Sequence, residues 1–144
     1  MESSTRVLVV AHRTAATTSL LDAVRERAQR GPCTFTLLVP NAAHGLHKVV
    51  DPEDQDSAES QRVLDDALPK LTAAAGSPVE GIIGAPAPMT AIEDAVNLRG
   101  FDEIIISTLP VTVSRWLRLD LPSKAAGLGL PVTTVTTTEE SATA

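Results

Sequence analysis

The chain has 144 residues, a formal net charge of -6, 43% hydrophobic residues and 21% charged residues. That length suits one domain with a proper core, and the acidity argues against non-specific binding to nucleic acid or anionic membranes. A lone cysteine, Cys33, excludes an internal disulfide, and aromatic residues make up only 2%, so Val, Ile, Leu and Ala must build the core. Such a core suits a parallel sheet covered by helices better than a β-sandwich.

Five apolar β-type runs alternate with helical patterns. The first strand is predicted over residues 6–11, followed by a helix with Leu20, Leu21, Val24 and Ala28 on one stripe and a stop at Gly31-Pro32. The second strand covers 34–39 and ends at Pro40-Asn41, before a loop of about fifteen residues, long for a compact α/β unit. A second helix is predicted from about 56 to 75, with Val63, Leu64, Ala67, Leu68 and Leu71 facing inward and Pro69 expected to kink or split it. The third strand, 79–83, runs into Gly84-Ala85-Pro86, and the third helix starts near Pro88. The fourth strand, 103–107, is the most apolar and is expected near the sheet centre. A last helical region lies within 114–128, with Ser114 capping a short helix and Asp120 capping the final one. The fifth strand covers 132–136. One domain is expected over 1–136, with a flexible polar tail at 137–144.

Strand–helix alternation with right-handed crossovers implies a parallel sheet, in the order 3-2-1-4-5 or 2-1-3-4-5. In either, ligands are expected beyond the strand C-termini where the order reverses. In the first order that crevice lies between strands one and four, against His12-Arg13-Thr14 and Ser107-Thr108. The loops there exclude the common enzyme signatures. No G-x-G-x-x-G or P-loop follows strand one, no phosphorylatable Asp follows strand three, and no serine stands in a G-x-S-x-G elbow.

The order of motifs resembles the universal stress protein family, of the adenine-nucleotide α-hydrolase-like superfold, over roughly residues 6–136. The likeness rests on Val7-Leu8-Val9-Val10-Ala11 leading to His12-Arg13-Thr14, on Gly84-Ala85-Pro86 before the third helix, on Asp102-Glu103-Ile104-Ile105-Ile106, and on Pro131-Val132 opening the last strand. The resemblance implies a single three-layer α/β domain with a five-stranded parallel sheet in the order 3-2-1-4-5. It also implies homodimers paired through the edge of strand five, and an ATP site in members that carry G-x-x-G, nine residues, then Gly and Ser or Thr. In this chain the first two glycine positions fall on Ser107 and Pro110, and the third on Asp120, or on Pro122 with Ser123 in the serine's place. The base-reading Asp falls on His12. With all three glycines replaced, no cofactor is expected, and Mg-ATP is expected to bind weakly or not at all.

The expected function is that of a non-catalytic, stress-protein-like cytoplasmic module that takes a small anionic ligand, or weakly a nucleotide, in the crevice between strands one and four. Its expected contacts are His12, Thr14, Val39, Ser107, Thr108, Ser114, Arg115, Arg118 and Ser123, with hydroxyl and guanidinium groups standing in for glycine amides. Two alternatives stand beside it. One is a nucleotide or phosphate hydrolase with His12 as general base and Arg115 steadying charge. The other is a metal site formed by His12, His44 and His47 with Asp51 nearby.

Overall fold

The computed structural model describes residues 5–12, 14–41, 52–109, 115–118 and 120–136, with the side chains of 52–58, 115 and 118 outside that description. Five strands, β1 (Thr5–Val10), β2 (Cys33–Pro40), β3 (Glu80–Gly84), β4 (Glu103–Thr108) and β5 (Val132–Thr136), form one parallel sheet in the order β3-β2-β1-β4-β5. The helices are α1 (Thr18–Gln29), α2 (Pro52–Ala75), α3 (Pro88–Arg99), α4 (Arg115–Arg118) and α5 (Leu121–Ala126). The order is the one implied by the resemblance, and the Ile-rich β4 lies next to central β1.

Burial on both faces explains why the middle strands read as continuous apolar runs instead of alternating ones. Val7, Val9, Leu37, Val39 and Ile105 pack on one face against Leu20 and Val24 of α1 and Leu64, Ala67 and Leu71 of α2. Leu8, Val10, Leu38, Ile104 and Ile106 pack on the other against Ala91, Ile92 and Ala95 of α3 and Leu121 and Ala125 of α5. Period-two alternation splits each strand between two apolar clusters, so a one-residue register slip would exchange every partner. Gly81 and Gly84 let the helices approach β3. A Cβ on Gly81 would lie 2.8 Å from Leu64 Cδ1, and one on Gly84 2.8 Å from Ala91 Cβ.

Three expectations need correction. α2 begins at Pro52, about a turn earlier than expected, which shortens the preceding connection; proline is favoured in a first turn, where its missing N–H costs nothing. α2, 24 residues in all, also continues past Pro69, which therefore does not split it. Pro69 is exposed, while Leu64, Ala67 and Leu71 are buried on either side of it, so packing holds both halves in one helix. Asp120 stands at the start of α5 but does not cap it. Its backbone is left-handed (φ 60°, ψ 40°) and its side chain makes no capping hydrogen bond. Asp is among the few residues that tolerate this conformation.

The N-terminal end of the sheet is tied by charge. Arg27 of α1 donates from Nε and Nη2 to the two carboxylate oxygens of Glu103 at 2.9 and 3.1 Å. This side-chain hydrogen bond raises the Arg27 pKa further above its ordinary value. Arg6 donates its backbone N–H to Asp102 at 2.9 Å and its guanidinium to the Arg99 carbonyl at 2.6 Å, and lies 5.3 Å from the Phe101 ring centre. Arg99 in turn pairs with Glu80 at 2.7 Å. Cys33 opens β2 at this same end, and burial pushes its thiol pKa up.

Candidate functional site

The strand order reverses between β1 and β4, whose C-terminal ends meet at the Val10–Ile106 register pair. The chain leaves β1 for α1 on one face, and α5, which follows β4, packs on the other. Diverging connections of this kind leave a crevice at the strand ends. Polar side chains appear only as the apolar runs finish there: Thr14 and Thr17 after β1, Ser107 and Thr108 at the end of β4, all at most 5% exposed.

The connection after β1 is two overlapping turns. The Ala15 N–H donates to the His12 carbonyl, and the Thr17 N–H to the Thr14 carbonyl, each at 3.2 Å. The Thr17 hydroxyl also donates to the Thr14 carbonyl at 3.0 Å and accepts from the Leu20 N–H at 3.3 Å. Thr17 is thereby the N-cap of α1, satisfying a donor that the helix leaves free. These turns aim Thr14 across the crevice, where its hydroxyl meets the Ser107 hydroxyl at 2.7 Å. One residue on, the Thr108 hydroxyl donates to the Thr136 hydroxyl of β5 at 3.3 Å.

The remaining expected contacts are spread more widely. Val39 is fully buried, its side chain within the apolar cluster beneath α1 and α2. His12 is half-buried and lines an open depression of about 100 Å³ with Ala15, Ala16, Val63 and Asp66. Neither Thr14 nor Ser107 lines that depression. The Asp66 carboxylate also receives Lys70 at 3.4 Å. Ser123 is exposed on α5, whose Leu121 and Ala125 turn inward. Ser114, the side chains of Arg115 and Arg118, and His44, His47 and Asp51 lie outside the described residues. Among the described residues no three His, Cys, Asp or Glu side chains gather as a metal site would require.

Two polar contributors do not stand out in the sequence. The buried Ser60 of α2 donates to the Asn41 side chain at 3.2 Å, and the Asn41 N–H donates to the Gly84 carbonyl at 3.0 Å. Together they bind α2 to the ends of β2 and β3. A serine on the inner stripe of α2 is the available signal, masked by the apolar residues around it. Asp66 is the other, because its place beside His12 depends on how α1 and α2 pack.

Chemically, the end of the apolar sheet carries neutral hydroxyl donors and acceptors that are buried and paired with one another, Thr14 with Ser107 and Thr108 with Thr136. No helix among the described residues is long and apolar enough to cross a membrane. No protein-family model and no curated protein sequence matches the chain. Solved structures do. The universal stress protein from Archaeoglobus fulgidus matches at 17% identity and a TM-score of 0.65, over 91% of this chain and 93% of that one. The universal stress protein UspA from Lactobacillus plantarum matches at 19% identity and a TM-score of 0.64, over 94% and 99%. A universal stress protein family protein from Arabidopsis thaliana with AMP bound matches at 15% identity and a TM-score of 0.62, over 95% and 94%. With a sheet in the implied order and these likenesses spanning nearly its whole length, the chain has the universal stress protein fold.

Proposed function

We propose that this chain is a non-catalytic, cytoplasmic, stress-protein-like module that binds a small anion or a mononucleotide in the crevice between β1 and β4. The observation that carries the reading is the confinement of the Thr14, Ser107 and Thr108 hydroxyls to the strand ends where the sheet order reverses. The AMP held by the Arabidopsis neighbour supports a mononucleotide as ligand class. Arg115, next along the chain after the Ser107 segment, supplies a positive charge in this reading.

Calorimetric titration of ATP, AMP and phosphate tests it. AMP or phosphate is expected to bind more tightly than ATP, because Pro110 lacks an amide donor and Asp120 adds negative charge. A charge-assisted contact contributes roughly 1.5–3 kcal/mol, so Arg115→Ala should weaken binding at least about tenfold. No heat from any of the three ligands refutes the reading, and micromolar ATP binding refutes the closed triphosphate site.

We infer further that the module is a homodimer joined along β5. The strand lies at the sheet edge with Thr133, Thr134 and Thr136 exposed and no charge along it, and an uncharged, β-branched edge invites pairing. Thr134→Pro removes a donor and should yield monomers, whereas a monomeric wild type in light scattering would refute the dimer.

A further inference from the structure

The crevice is shut by the contact that marks it. Thr14 and Ser107 are 2% and 1% exposed and bonded to each other, so a ligand can reach the Ser107 hydroxyl only if its surroundings, Thr14 among them, move away. The hydrogen bonds around Thr14 fall into two kinds. Those from the Thr17 amide and hydroxyl to the Thr14 carbonyl lie within the 14–17 turn and break only when the turn itself loosens. The Thr14–Ser107 bond instead crosses to another strand, 93 residues away in sequence. Behind the turn, the Ala11 N–H still donates to the Leu38 carbonyl at 3.2 Å, so strand pairing holds the chain up to that point. The turn's apolar anchors, Ala15 and Ala16, are single methyl groups, and withdrawing a methyl forfeits far less contact than withdrawing a Leu or Ile side chain.

We infer that the Thr14–Ser107 hydroxyl bond is a latch that holds the turn of residues 14–17 closed over the end of β4. Opening the latch would free both hydroxyls together, one from each side of the crevice. The inference rests on the crevice being the binding site only for what opening admits; the latch itself concerns the free protein. It differs from a simple packing contact in one respect: its loss should loosen the turn and leave the sheet as it was.

Amide hydrogen exchange on the intact chain tests this, with Ala15 and Thr17 as reporters of the turn and Val9 and Leu37 as reporters of the sheet. A neutral hydrogen bond is worth up to about tenfold in an opening equilibrium. Thr14→Val, which keeps the side-chain shape, should therefore speed exchange at Ala15 and Thr17 by up to about tenfold and leave Val9 and Leu37 unchanged. Thr14→Ser keeps the hydroxyl and should exchange like wild type. Ser107→Ala should reproduce Thr14→Val from the other side of the bond. Unchanged exchange at Ala15 and Thr17 in Thr14→Val, or acceleration of turn and sheet alike, would overturn the latch. Equal acceleration in Thr14→Ser would also overturn it, since the hydroxyl would then be irrelevant. Titrating AMP into the wild type separates the two ideas: no AMP binding with a selectively loosened Thr14→Val turn refutes the ligand and upholds the latch.

Discussion

The two ends of the sheet are tied by different chemistry. At the N-terminal end, Arg27–Glu103 and Arg99–Glu80 link helices to strands and Asp102 accepts from the Arg6 N–H of β1, each through a charged group. At the C-terminal end the corresponding links are neutral hydroxyl pairs, Thr14–Ser107 and Thr108–Thr136. Hydrogen bonds involving charged groups contribute roughly twice as much as neutral ones. The half-buried Arg27–Glu103 pair should therefore hold the charged end more firmly than the hydroxyl pairs hold the other. Enzymes and binding proteins of this architecture carry their sites at the strand C-termini, which is the weakly tied end here.

The two ends are joined by the same buried strands, and the largest effect should come from damaging those. Ile106 is fully buried and pairs with Val10 in the centre of the sheet. Ile106→Ala should cost about 3 kcal/mol in urea unfolding through lost transfer energy and the cavity left behind. Exchange should rise at both ends together; acceleration confined to residues 14–17 would mean that the ends do not share a core.

Next in size is the charged end itself. Arg27 and Glu103 are only 12% and 20% exposed, so solvent screens their pair little. Arg27→Met keeps the aliphatic stem but leaves the Glu103 carboxylate without its bidentate donor. A loss of about 2 kcal/mol is expected by urea unfolding. A loss under half of that would remove the asymmetry between the two ends.

At the hydroxyl end, Thr136→Val strips the acceptor from the buried Thr108 hydroxyl while preserving shape. A cost of about 1 kcal/mol or less is expected, and a cost matching that of Arg27→Met would contradict the contrast.

The smallest effect is a pH dependence at the charged end. Burial raises the Cys33 pKa, so the folded state holds the thiol proton more tightly than the unfolded chain does. Stability from this group is present in full below the ordinary thiol range and is lost as pH rises through the raised value. Urea midpoints measured into the alkaline range should fall more steeply for wild type than for Cys33→Ser. Parallel curves would show that burial at the start of β2 does not bear on the thiol.

Much of the fold is legible in the amino-acid sequence. The runs at Val7–Val10 and Ile104–Ile106 announce strands buried on both faces, because a strand with one wet face alternates and these do not. Helices announce themselves by stripes such as Leu20 and Val24. Boundaries are less legible. Pro52 reads equally as a loop residue or as the opening of a helix, and Pro69 reads as a break until its exposure and the buried residues around it are known. Asp120 reads as a cap by residue type, yet its left-handed backbone carries the side chain away from that role.

The site divides along the same line. Sequence alone determined which residues end the apolar strands, and so that Thr14, Ser107 and Thr108 stand at the mouth of the sheet. Composition and periodicity are local properties, readable along the chain. Only the tertiary structure decided that Thr14 meets Ser107, that Thr108 turns to Thr136, that Val39 is sealed in the core, and that His12 and Asp66 line one depression beside α2. Each of these depends on residues far apart in the chain. Such contacts depend on the packing angle of a helix against the sheet and on which face each side chain takes, and no local pattern of residue types encodes either.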